Sequence, residues 1–198
     1  MPSLTVMLIR HAEKPEEAWP GPGLTVDGGE NEKSLVVRGW QRAGAWSALF
    51  GAGLGGADYP KPDIVYAADP SRGTAADGDE PSQRPYQTAT PLTARLHAGG
   101  APVKTYAVGQ EDALVAEILG RTGVVLVCWE HKAIAKKIVP TLLGGQAIDK
   151  VPKKWDGARF DVVFRFDRDG AGKPWQFKQL CPCLMSGDSD QPMPIAAE

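Results

Sequence analysis

The sequence predicts an α/β chain, a three-layer doubly wound sandwich whose mainly parallel sheet is flanked by helices and completed by a C-terminal edge hairpin. Three observations predict it. Four short apolar runs lack polar alternation, as strands covered on both faces do. Stretches of helical periodicity separate those runs. The last part of the chain breaks the pattern with two β-like segments around a glycine-rich turn.

Taken in order, the first strand is LTVMLIRH (4–11). A long Gly, Pro and acid-rich insertion follows at 16–34, and then RGWQRAGAWSALF (38–50), which puts Trp40, Ala43, Trp46, Leu49 and Phe50 close to one helical face before GAGLGG stops it. DIVYAAD (63–69) is the second strand, and a second insertion fills 70–83. Helices are expected over 84–98, 111–120 and 132–144, with Pro91 and Pro140 as kinks or early-turn residues. VKTYAV (103–108) and GVVLVCWEH (123–131) read as the third and fourth strands. ARFDVVFRFDRDG and KPWQFKQLCPCL, joined around RDGAGK, form the edge hairpin. Insertions this long in a compact domain are either functional covers or disordered. No internal repeat is present.

The 198 residues, 42% of them apolar, suit one domain, expected over 1–185. The polar, proline-broken stretch 186–198 is expected to be a flexible tail. A formal net charge of -2 gives no reason to expect nucleic acid or a membrane as partner. MPSLTVMLIRHAEK shows neither a basic leader nor an apolar run long enough for a signal or a span, so a cytoplasmic protein is expected. The three cysteines, Cys128, Cys181 and Cys183, form an odd set without zinc spacing and read as reduced thiols. No cofactor and no metal are expected.

In an open α/β sheet, ligands bind beyond the carboxyl ends of the strands. Arg10 and His11 end the first strand, His131 ends GVVLVCWEH, and Arg84 follows the insertion that leaves DIVYAAD. One topology thus collects two arginines and two histidines on one rim. Guanidinium groups fork around phosphate oxygens. A neutral imidazole is a nucleophile near pH 7, and a second, protonated imidazole stabilises charge on a transferring phosphoryl group.

RHAEK after the first strand, RPYQTA at a helix start, the histidine closing VLVCWEH and the helix LVVRGWQRA together resemble the histidine phosphatase (phosphoglycerate-mutase-like) superfamily, branch 1, over roughly residues 4–145. Ala12 stands where the family's Arg-His-Gly hallmark has glycine. The resemblance implies that His11 is the phosphorylated nucleophile, Arg10 and Arg84 the phosphate clamp, and His131 the second pocket histidine. Thr88 and Ala89 match a family Thr-Ala pair read as packing. Lys132 stands where some branches place an acidic residue, so the general acid is sought elsewhere: Glu111, with Asp112 beside it, or Glu13, with Glu130 a further neighbour of the pocket.

The implied activity is that of a metal-independent phosphatase, a phosphoric monoester hydrolase acting on a small phosphorylated substrate or a phosphoprotein. The alternatives are a phosphoglycerate-type mutase and a non-catalytic phosphate-binding domain of the same fold. The long insertions associated with glycolytic mutases are missing, which ranks the phosphatase first. His97 reads as a plain helix-end residue, and Arg38, Arg42 and Arg72 as residues of solvated faces or loops. Trp40 and Trp46 read as core, and Trp19 and Trp129 as candidates for the pocket mouth.

Overall fold

The computed structural model describes residues 3–72, 81–97 and 100–195. Five strands, β1 (Leu4–Arg10), β2 (Ile64–Ala67), β3 (Gly123–Trp129), β4 (Val163–Arg168) and β5 (Gln176–Leu180), make one sheet in the order β2-β3-β1-β4-β5. β1, β2 and β3 run parallel, while β4 and β5 are antiparallel additions at one edge. The α/β sandwich and its edge hairpin are therefore present.

The strands lack alternation because both faces are covered. Met7, Ile9, Leu126 and Cys128 pack under α1 (Val37–Gly51) and α2 (Arg84–Leu96), with Trp46 and Phe50 of α1 fully buried there. Val6, Leu8, Val125 and Val127 face α3 (Glu111–Leu119) and the helical stretch that follows β3. Successive residues point to opposite faces, so each layer takes every second side chain.

That last helical stretch is α4 (His131–Ala133), a π turn (Ile134–Ile138) and α5 (Val139–Leu143). Pro140 explains the π turn: it has no N–H and its ring crowds the carbonyl four residues back, and a widened turn relieves both. β3 ends at Trp129 rather than His131, because the Glu130 side chain accepts hydrogen bonds from the amides of Lys132 (2.9 Å) and Ala133 (2.8 Å) and starts the helix there.

One further expectation needs correction. VKTYAV is not a strand of the sheet: Val103 makes one parallel bridge to Tyr66, and Lys104 and Thr105 are exposed, so the segment lies along β2 at an open edge without a continuous ladder. The segment after Ser186 makes contacts with the domain as far as Met193. Met193 is 2% exposed and exchanges backbone hydrogen bonds with the Gln179 side chain (2.9 and 3.1 Å), and Asp188 pairs with Arg42. Residues 196–198 of the expected tail, and 73–80 of the second insertion, lie outside the described residues. Among the described residues no helix is long and apolar enough to cross a membrane.

Candidate active site

β1 and β3 are neighbours in register, Arg10 opposite Trp129. The chain leaves β1 toward the face carrying α1 and leaves β3 toward the face carrying α4 and α5. A crevice must open between the two departing loops, and the residues that line its floor are those just after each strand. His11 and His131 occupy those places, and the His11 amide donates to the Trp129 carbonyl (3.0 Å).

His11 is 4% exposed. Its Nδ1 lies 2.8 Å from the Ala12 carbonyl oxygen, which only accepts, so Nδ1 carries the proton and Nε2 keeps its lone pair. Burial, reinforced by the positive charge of Arg10 and partly opposed by the Ala12 carbonyl, lowers the imidazole pKa to about 3; Arg84 and His131 push the same way. His11 is thus neutral at pH 7, with its free nitrogen in a field of positive charge.

Arg10 is 1% exposed, and burial lowers its pKa to about 10, which still leaves it charged. Its Nη1 donates to the Gly157 carbonyl and, at 3.4 Å, to that of Arg159, and its guanidinium carbon stands 3.8 Å from the Phe160 ring centroid. Its Nε is buried without a partner among the described residues. A buried charged donor left unpaired is costly unless an anion fills the place. Arg84, whose pKa burial also lowers, donates to the carbonyls of Ser34 (3.3 Å) and Glu32 (2.5 Å) in the first insertion. That insertion borders a recess of about 700 Å³ at Arg84, floored by Pro15, Gly21 and Pro22.

His131 is 16% exposed, its Nδ1 2.9 Å from Glu130 Oε1 but off the axis of a hydrogen bond. Burial alone would raise the Glu130 carboxyl; His131 and the two capping amides override it and hold it at about 2. Glu111 is 5% exposed at the start of α3, and its Oε1 accepts from the Gly109 amide (3.0 Å) and the Trp129 indole (2.9 Å), which fixes it beside the end of β3. Trp129 is therefore a buried prop and not a mouth residue. Asp112 turns away to the Thr141 hydroxyl (2.8 Å).

Glu13 is fully buried but faces away from the crevice, gripped by Arg42 through contacts of 2.8 to 3.0 Å and by Arg38 at 3.3 Å. Arg42 is 2% exposed, which corrects its reading as a residue of a solvated face. Its signal was legible: Gly39, Arg42, Ala43 and Trp46 share the buried stripe of α1, and a charge on such a stripe demands a carboxylate. Thr88 does more than pack, since its hydroxyl accepts the Ala12 amide (2.9 Å) and donates to the Arg84 carbonyl (2.7 Å), tying the loop after His11 to α2. Phe160 was not anticipated; nothing in its local pattern points to Arg10. Arg72 turns to Asp69 and the Thr105 carbonyl, and His97 is exposed. Among the described residues no group of three or more His, Cys, Asp or Glu is placed to hold a metal ion.

No family model matches the sequence, and no curated protein matches it significantly. Solved structures do. Mycobacterial hydrolase 2 is 15% identical, with 90% of each chain covered and a TM-score of 0.53. The ecdysone phosphate phosphatase from Bombix mori, solved with tungstate, is 15% identical over 94% of this chain and 96% of its own, at a TM-score of 0.51. At that identity the likeness is one of fold.

Proposed function

We propose, on the histidine phosphatase fold that this chain shares with those structures, that it is a metal-independent phosphatase working through a phosphohistidine at His11. The observation that carries the reading is a neutral, tautomer-fixed imidazole set beside a buried guanidinium whose Nε has no partner among the described residues. A phosphoryl group supplies the missing acceptor and places phosphorus before Nε2. That one fold neighbour is named for acting on a phosphate ester and holds an oxyanion supports the same chemistry.

In the first step the Nε2 lone pair forms a bond to phosphorus as the ester P–O bond breaks. Arg10 and Arg84 spread the charge of the equatorial oxygens, joined by His131 when protonated. The leaving oxygen takes a proton from Glu111 in its protonated form. In the second step water attacks phosphorus with the same carboxylate accepting its proton, and the N–P bond breaks to release phosphate and the free imidazole. Glu111 is preferred over Glu13 because Glu13 is enclosed by two arginines. Substrates would be small phosphomonoesters or a phosphoprotein, their leaving groups lodged toward the recess at Arg84.

The test is hydrolysis of p-nitrophenyl phosphate with and without EDTA. Turnover insensitive to chelation and abolished in His11→Ala is expected, with an acid-labile, alkali-stable phosphoryl label trapped on the wild-type chain. Glu111→Gln retains acceptors for Gly109 and Trp129, so it should lower kcat by about 10²–10⁴ on alkyl phosphates and far less on p-nitrophenyl phosphate. Phosphate binding without turnover on any ester would instead make the chain a binding domain.

A further inference from the structure

We propose that the segment 186–195 is a strap that positions the nucleophile loop, with Asp188 as its positioning residue. The inference rests on the reading of His11 and Arg10 as the phosphate-handling pair. Two independent chains of contact lead from this segment to either side of His11.

The first runs through Arg42. Asp188 accepts from Arg42 Nη2 (2.7 Å) and Nη1 (3.0 Å), while the Nε and Nη2 of the same guanidinium hold both oxygens of Glu13. The side chains of Asp188, Arg42 and Glu13 are all 3% exposed or less. Glu13 lies two residues after His11, and its carbonyl accepts the Val36 amide (3.2 Å). The charges balance only with Asp188 present: Glu13 and Asp188 face Arg42 and the half-buried Arg38, which reaches Asp188 at 3.9 Å. Gly39 packs so tightly here that a Cβ would come within 2.5 Å of the Glu13 carbonyl oxygen. The loop is thus pressed from below by α1 and held from the side by the strap.

The second runs through Arg159. Its guanidinium donates to the carbonyls of Gln191 (2.8 Å) and Ser189 (3.2 Å) and to Asp161 Oδ1 (2.7 Å), and Asp161 Oδ2 accepts the Ser189 amide (2.8 Å). The carbonyl of Arg159 accepts from both Arg10 (3.4 Å) and the Trp155 indole (2.9 Å), and Phe160 stacks on Arg10. The strap therefore fixes the loop that cups the clamp arginine.

Both routes border one cleft of about 60 Å³. Ligand pockets run to about 300–1,000 Å³, so this cleft is no second substrate site. A buried ion cluster is by itself weak evidence for stability, since the cost of desolvating the charges offsets their attraction. What such a cluster secures is one geometry, and the geometry here is that of residues 10–13.

The test uses Asp188→Asn, Asp188→Glu and, as a control, Asp190→Asn, whose carboxylate accepts from the Gln191 side chain next to it (2.8 Å) and touches neither arginine of the two routes. Expected for Asp188→Asn is a fall in kcat of about tenfold to a hundredfold with a smaller change in KM, weaker inorganic phosphate binding by calorimetry, partial rescue in Asp188→Glu, and wild-type behaviour in the control. Long-range ¹H–¹⁵N spectra should show the His11 nitrogen shifts moving in Asp188→Asn in the unliganded protein. Should Asp188→Asn not fold, Arg159→Gln tests the other route with the same readouts. A folded variant with wild-type kcat, phosphate affinity and His11 shifts overturns the proposal. So does a loss of activity that follows the unfolded fraction alone. If the wild-type chain neither binds nor hydrolyses phosphate, the proposed function fails, and the His11 shifts still decide the strap.

Discussion

Replacing Thr88 by valine isolates the tie between α2 and the loop that carries His11. Thr88 is fully buried, and valine keeps its shape, so no cavity opens. What is lost is the acceptor for the Ala12 amide at 2.9 Å and the donor to the Arg84 carbonyl at 2.7 Å. The Ala12 amide is left buried and unpaired, which costs about 1–3 kcal/mol. For a chain of this size each kcal/mol moves Tm by about 2–4 °C, so a fall of several degrees is expected. Urea denaturation, with Cm falling at constant m, should report the same loss. Thr88→Ser keeps both hydrogen bonds and removes one methyl group, a cost of about 0.8 kcal/mol. Activity should separate further: Thr88→Val frees the backbone next to His11 and lowers kcat beyond what the loss of folded protein explains, while Thr88→Ser stays close to wild type. If serine proves no better than valine in both stability and kcat, the hydrogen bond to Ala12 is not what fixes the loop.

Other consequences are equally open to measurement. The His11 pKa is lowered from 6.5 to about 3 on folding, so the unfolded chain binds a proton that the native state refuses; stability from this group is full above pH 6.5 and falls as pH drops toward 3, by up to about 1.4 kcal/mol per pH unit. His11→Gln should lack that slope, and Tm compared between pH 7 and 4.5 would show whether the two proteins converge on acidification. Gly39→Ala, which ordinarily gains about 1 kcal/mol of helix propensity, should instead destabilise by about 1–3 kcal/mol, because its Cβ meets the Glu13 carbonyl oxygen at 2.5 Å; equilibrium unfolding gives the sign directly. Glu130→Ala removes the acceptor of two amides at the start of α4 and should cost about 0.5–2 kcal/mol, read from the same curves.

Periodicity and run length determined the elements by themselves. Strands covered on both faces must be apolar throughout, and β1 and β3 are; helices with one buried stripe must repeat every three or four residues, and α1 does. The order of these elements, with the rule that ligands meet strand ends, is by itself enough to bring Arg10, His11 and His131 to one rim. VKTYAV misled because an edge segment and a central strand share the same composition and differ only in whether a neighbour completes the ladder.

Only the tertiary structure decided the surroundings of the carboxylates and the contacts of the C-terminal segment. Glu13 and Glu111 look alike in sequence, yet one is enclosed by Arg42 and Arg38 and the other is held at the end of β3 by Trp129. Asp188 lies in a stretch whose polarity suggests a loose tail, and its side chain is buried because it pairs with the buried Arg42, 146 residues earlier. A side chain's partners across such distances follow from how the layers pack. Local pattern records a residue's own preference for burial but not which charge will stand opposite it.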